Sequence, residues 1–171
     1  MTDAAIQDAV PAPALERRDD MDRLVATTWH GAGATGDNGS ARWLVAVDGS
    51  ACSLRAVAMV AELATQERGA GVDLVHVQPW LNKEAAETEL PRRGWAATAQ
   101  ARQLLDAASV PWRVHVVMGV GAPEITSLAD ALGSRGIAIG SRGLTATESL
   151  LLGSVAYQVV HLARLPVLIV R

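Results

Sequence analysis

The stretch Ile137-Ala-Ile-Gly140-Ser-Arg-Gly143, followed after nine residues by Gly153-Ser154-Val155 and closed by Leu165-Pro-Val-Leu-Ile-Val-Arg171, decides the fold. Ile137-Ala138-Ile139 is a short apolar run, as expected of a strand buried on both faces. Gly140 to Gly153 reads as a loop. Ser154 opens a helix with Val155, Val159 and Leu162 at helical spacing, and Pro166 blocks its continuation. Val167–Val170 is then another apolar strand. Strand, loop, helix and strand in this order make one βαβ unit, whose strands pair in parallel through a right-handed crossover.

The same alternation extends back to Arg42. Residues 43–47 form a first strand, ended by Asp48-Gly49-Ser50. Ser50 can cap a helix carrying Leu54, Val57, Ala58 and Ala61, with Gly69 as its stop. Residues 72–77 are a second strand. A longer stretch to Ser109 is interrupted by Pro91 and Gly94. Its second half has a helical stripe of Ala97, Ala101, Leu104, Leu105 and Ala108. Trp112–Met118 is a third strand. Pro123 opens a helix with Ile125, Leu128, Ala129 and Leu132 buried, stopped by Gly133. The expected architecture is α/β, a doubly wound five-stranded parallel sheet over residues 42–171. In such sheets ligands bind outside the carboxyl ends of the strands, where the strand order reverses.

Residues 1–41 read as an arm and linker. Gly31 to Ser40 is linker-like in composition. Before it, Leu15, Met21, Leu24, Val25 and Trp29 have roughly helical spacing. A disordered arm is the favoured expectation, and a docked helix between Ala14 and Trp29 the alternative.

The Gly140–Ser154 region suits a phosphate. Gly140 and Gly143 let the backbone turn tightly and approach a ligand with no Cβ in the way. Gly153 and Ser154 open a helix whose first amides have no intrahelical partner, so they and the helix dipole attract anionic oxygens. The Ser154 hydroxyl and the Arg142 charge can add to this. Asp48, at the end of the first strand, can accept from a sugar hydroxyl or an amine, or hold a divalent cation. A loop that uses its glycines only as turn and cap residues is the alternative. No Gly-Lys-Ser/Thr or Gly-x-Gly-x-x-Gly motif is present, which excludes the Walker A and dinucleotide fingerprints.

These residues resemble the universal stress protein family, in its nucleotide-binding branch. The matching segments are Val47-Asp48-Gly-Ser50, Met118-Gly-Val-Gly-Ala-Pro-Glu-Ile125, Ile139-Gly-Ser-Arg-Gly143, Leu151-Leu-Gly153-Ser154-Val155 and the closing Leu165 to Arg171. The resemblance covers residues 42–171. It implies a Rossmann-like sheet of strand order 3-2-1-4-5 and a homodimer, often paired through the last strand, Val167–Val170. It also implies ATP as ligand, with or without Mg²⁺; AMP, ADP and cAMP share the adenosine contacts. By that resemblance the Asp48-Gly49-Ser50 turn, Asp48 above all, would meet the ribose or base. Val77 and Ile139 would lie near the adenine. Gly140, Arg142 and Gly143 would line ribose and phosphates, and Gly153, Ser154 and Val155 would hold the phosphates. Two departures stand out. Arg135-Gly136 replaces the Asp usual before the fourth strand, and Gly121 stands where proline is frequent.

Composition narrows the function classes. The formal net charge is −3, so no basic field recruits nucleic acid. Cys52 is the only cysteine, which favours a reducing compartment and, with no membrane-length apolar run and no signal-peptide pattern, a cytoplasmic protein. Cys52 reads as a small packed residue rather than a redox centre. The four histidines show no metal spacing, and His76 and His115 read as packing or surface residues. The expected function is a ligand-dependent regulatory protein. A dimeric adaptor without nucleotide dependence and a slow ATP hydrolase are the alternatives; beyond Asp48, the residues offer hydrolysis little.

Overall fold

The computed structural model describes residues 9–34, 42–67, 70–144 and 152–171. In chain order the elements are β1 (Leu15–Arg18), β2 (Leu24–His30), β3 (Trp43–Ala46), α1 (Ala51–Gln66), β4 (Val72–Gln78), α2 (Lys83–Ala97), α3 (Ala99–Ala107), β5 (Trp112–Met118), α4 (Gly121–Ala131), β6 (Gly136–Gly140), α5 (Ser154–Leu162) and β7 (Val167–Val170). One seven-stranded sheet runs in the order β1-β2-β5-β4-β3-β6-β7. The β5-β4-β3-β6-β7 part is parallel, and β2 and β1 add to its β5 edge antiparallel. The expected five-stranded, wholly parallel sheet is therefore corrected to a mixed sheet of seven.

Alternating strand residues feed two cores. Leu74, Val114 and Val116 pack with Val57 and Val60 of α1, Leu90 of α2 and Leu105 of α3. Leu44, Val75 and Ile137 pack with Ile125 and Ala129 of α4 and Val159 of α5 on the other face. The Ser50 hydroxyl caps α1 by accepting from the Ser53 amide at 3.2 Å. Gly133 closes α4 with φ +60°, and the Gly133 and Ser134 amides donate to the Asp130 and Ala129 carbonyls. The expected stop at Gly69 lies outside the described residues.

Helix α2 runs through Pro91 and Gly94, which sequence reading treats as interruptions. Gly94 is needed for packing, since a Cβ there would run into the Val116 side chain. In α5 the buried face is Ala156 and Val159, while Val155 and Leu162 of the expected stripe are exposed.

The largest correction concerns the arm. Residues 15–30 are neither disordered nor a helix, but a hairpin. Its turn is built on Asp19, whose carboxylate accepts from the Met21 and Arg23 amides and the Arg23 guanidinium, and on Asp22 at φ 59°. Without β2, the apolar β5 would be an open edge. Trp29 stacks beside Trp95, with centroids 5.3 Å apart, and Trp95 beside Trp112 at 6.4 Å. Each such pair stabilises by about 1 kcal/mol beyond its area burial. Gly31–Ala34 continue in contact with the domain, and the Gly31 amide donates to the Trp112 carbonyl. The rest of the linker, residues 35–41, lies outside the described residues.

A buried ion pair joins β4 to β5. Asp73, 1% exposed, accepts from Arg113 Nε at 2.6 Å and Nη2 at 2.8 Å. Burial pushes the Asp73 carboxyl up, but Arg113 and His115 outweigh it and hold the carboxyl below its usual range. In the window below about pH 4 the unfolded chain therefore binds more protons than the native one, and stability falls with acid. Asp73→Asn is expected to flatten the loss of Tm on going from pH 5 to pH 3, read by circular dichroism. An unchanged slope would mean that Asp73 contributes nothing to acid sensitivity.

Candidate functional site

The chain leaves β3 toward β4 on one side, while β6 pairs with β3 on the other, so the sheet reverses between β3 and β6. A cleft of about 490 Å³ opens there, at the carboxyl ends of β3, β4 and β6 and beside the amino ends of α4 and α5. That volume falls within the range of small-molecule sites. Asp48, Ser50, Val77, Ile139, Gly140, Arg142, Gly143, Gly153, Ser154 and Val155 all line it; Gly49 does not. Gly49 serves the turn, with φ +84°.

Asp48 faces the glycine loop. Its Oδ1 accepts from the Ser50 amide at 2.9 Å and its Oδ2 from the Leu144 amide at 3.1 Å. Burial raises the Asp48 carboxyl, yet the hydrogen bonds from Ser50, Ser53 and Leu144 outweigh it, so the group is held below the usual range and is ionised at neutral pH. The Ser50 hydroxyl, besides capping α1, donates to the Arg142 carbonyl at 3.4 Å, tying the first turn to the loop.

The glycines divide by role. A Cβ at Gly140 would lie 2.7–2.8 Å from Cys52 and Ser53 of α1. The missing side chain at Gly140 is therefore required by the protein itself, while its backbone also lines the cleft. At Gly143 a Cβ would lie 2.6 Å from Asp48 Oδ2, so here the bare backbone gives room to the carboxylate. The Gly153 amide is not free for an anion either, because it donates to the Ser141 carbonyl at 2.7 Å. The next amides differ. Gly153 provides no side-chain cap, and among the described residues the Ser154, Val155 and Ala156 amides have no acceptor. The middle of the loop, residues 145–151, lies outside the described residues.

Sequence reading misses several lining residues. His76, taken for a packing or surface residue, lines the cleft, and its Nδ1 lies 2.9 Å from the Val47 carbonyl. Its place at the carboxyl end of β4 beside the reversal point is the signal that could have found it. Ser53, Ser141 and Ile125 join from α1, the loop and α4. Gly121 is the first residue of α4, where a Cβ would stand 3.3 Å from Val155, so the two helix starts meet at the cleft mouth.

Cys52 is buried, with Arg55 Nη2 3.0 Å from its sulfur. Burial raises the thiol, and the Ser141 hydroxyl and Arg55 outweigh that, so it is held below its usual value. Arg135, at the position of the first departure noted above, pairs with Glu67, and its amide donates to the Arg42 carbonyl. Among the described residues no group of three His, Cys, Asp or Glu side chains could hold a metal ion, and no helix is long and apolar enough to cross a membrane.

A doubly wound sheet with a cleft of small-molecule size at its reversal point defines an α/β domain of Rossmann-like architecture. Residues 41–171 match the universal stress protein family, and the chain belongs to that family. The universal stress protein of the QAH/OAS sulfhydrylase 3′ region in Thermus aquaticus is 37% identical over 134 residues, spanning 75% of this chain and 96% of that protein. The solved universal stress protein of Archaeoglobus fulgidus superposes with a TM-score of 0.65 at 26% identity, covering 77% of this chain and 99% of that one. A universal stress protein in complex with cAMP superposes with a TM-score of 0.62 at 25% identity, covering 77% and 97%. The β1–β2 hairpin lies outside the family match.

Proposed function

We propose that the cleft binds an adenine nucleotide, ATP or another adenosine phosphate such as AMP, ADP or cAMP, and that occupancy regulates how the protein associates with its partners. One observation carries this reading: the Ser154, Val155 and Ala156 amides, without an acceptor among the described residues, and an ionised Asp48 line one cleft with apolar walls. The amides and the helix dipole suit phosphate oxygens. Val77 and Ile139 suit the faces of a purine. Asp48 accepts from Ser50 and Leu144 and retains lone pairs for ribose hydroxyls. The family relative solved with cAMP supports the same ligand class.

Val77 also offers polar groups. The Val47 amide donates to the Val75 carbonyl at 2.8 Å, so the peptide groups of Val75, and by alternation those of Val77, face the β3 side. β3 has ended there. One extended residue thus presents a donor and an acceptor side by side, the pair that a ring nitrogen and exocyclic amine of adenine require. Mg²⁺, if bound, would arrive with the phosphates. The protein would act in the cytoplasm as a homodimer through β7, an edge strand whose Ile169 is exposed, as are Tyr157, Val160 and Leu162 of α5. A retained nucleotide, rather than rapid hydrolysis, fits an Asp48 already engaged by two amides.

Protein purified without added nucleotide and then denatured is expected to release an adenine nucleotide, identified by mass spectrometry. Stripped protein should gain about 2.7 kcal/mol of stability at ATP a hundredfold above Kd, read as a rise in Tm. No release and no shift at millimolar ATP would remove the proposal.

A further inference from the structure

We infer that His76 is a positioning residue for base recognition: by engaging the Val47 carbonyl it keeps the β3–β4 ladder from closing and leaves the Val77 amide free for the ligand. The inference rests on the adenine-nucleotide reading of the cleft. The parallel ladder between β3 and β4 reaches Ala46 opposite Val75, with the Val47 amide donating to the Val75 carbonyl at 2.8 Å. The next rung of a parallel pair would be the Val77 amide donating to the Val47 carbonyl. That rung is not made among the described residues. The Val47 carbonyl is instead met by His76 Nδ1 at 2.9 Å.

A carbonyl only accepts, so Nδ1 carries the proton and the tautomer is set. On the far side of β4 the Gln78 carbonyl accepts from the Gly119 amide at 2.9 Å, so residues 76 and 78 direct their peptide groups to β5 and cannot serve the cleft. Val77 is the residue of this strand end whose backbone faces the opening. The ring of His76 thus performs two tasks with one bond. It satisfies the last carbonyl before Asp48, and it ends the sheet one rung early, where a base can add the missing pair.

Two variants separate this from a merely structural role. The substitution His76→Asn places an amide nitrogen where Nδ1 stands, whereas His76→Leu removes the donor and keeps bulk. ATP is compared with 1-deaza-ATP, which lacks the ring nitrogen that the Val77 amide would meet. Wild type is expected to favour ATP about tenfold, the value of one hydrogen bond of about 1.4 kcal/mol. His76→Leu should lose that preference, and His76→Asn should restore it. Independently of any ligand, exchange of the Val77 amide, followed by NMR on nucleotide-free protein, should slow at least tenfold in His76→Leu as the rung closes. A retained preference in His76→Leu, or equal losses for both nucleotides without slowed exchange, would overturn the inference. Failure of the wild type to bind either nucleotide would instead overturn the function reading, while the exchange result would still judge the ladder.

Discussion

Gly143→Val is expected to lower ATP affinity at least about a hundredfold while the protein stays folded. The substituted Cβ would lie 2.6 Å from Asp48 Oδ2, closer than any real contact allows. The carboxylate must swing away, which breaks its bond from the Leu144 amide and fills the place where ribose would sit. Gly143 is exposed and its neighbours are side-chain atoms that can yield, so the fold bears the change. Two hydrogen bonds of about 1.5 kcal/mol each, together with a clash in the bound state, account for the magnitude. Calorimetric titration beside a melting curve checks it. Unaltered affinity would place the ligand away from Asp48.

Gly140→Val should do the opposite. The atoms it would meet are the carbonyl carbon and Cβ of Cys52 and the amide nitrogen of Ser53, at 2.7–2.8 Å. They belong to the start of α1, and two of the three are backbone, so no rotamer change relieves them. The helix must retreat from β6, at a cost of about 3 kcal/mol or more. For a chain of 171 residues that is a fall in Tm of roughly 10 °C. A melting temperature within about 2 °C of wild type would show that α1 and β6 are less tightly apposed than their contact implies. Two glycines three residues apart in one motif thus separate a requirement of folding from a requirement of the site.

That separation marks the limit of what the sequence reveals. The buried strands are legible because a strand covered on both faces reads as an uninterrupted apolar run, as in residues 43–47 and 137–139. The cleft is legible because Asp48 and Gly143 stand at the ends of strands that the reversal point brings together. The roles of Gly140 and Gly153 are not legible, since a missing Cβ can make room for a ligand or for a neighbouring helix, and only the packing says which. The hairpin is hidden for another reason. Leu24, Val25 and Trp29 fit a helical stripe locally, but the unpaired β5 edge and the Trp95–Trp112 pair capture them as a strand. His76 escapes notice because its importance lies in a rung that is not made, and sequence patterns record pairing rather than its interruption.

Titration of nucleotide-stripped protein with ATP, with chemical shifts of the Ser154, Val155 and Ala156 amides followed by NMR, decides whether the start of α5 holds the phosphates. Saturable binding with large shifts confined to those amides and to Leu144 and Val77 is the expected result. Binding that leaves the α5 amides unmoved, or no binding at millimolar ATP, would contradict it.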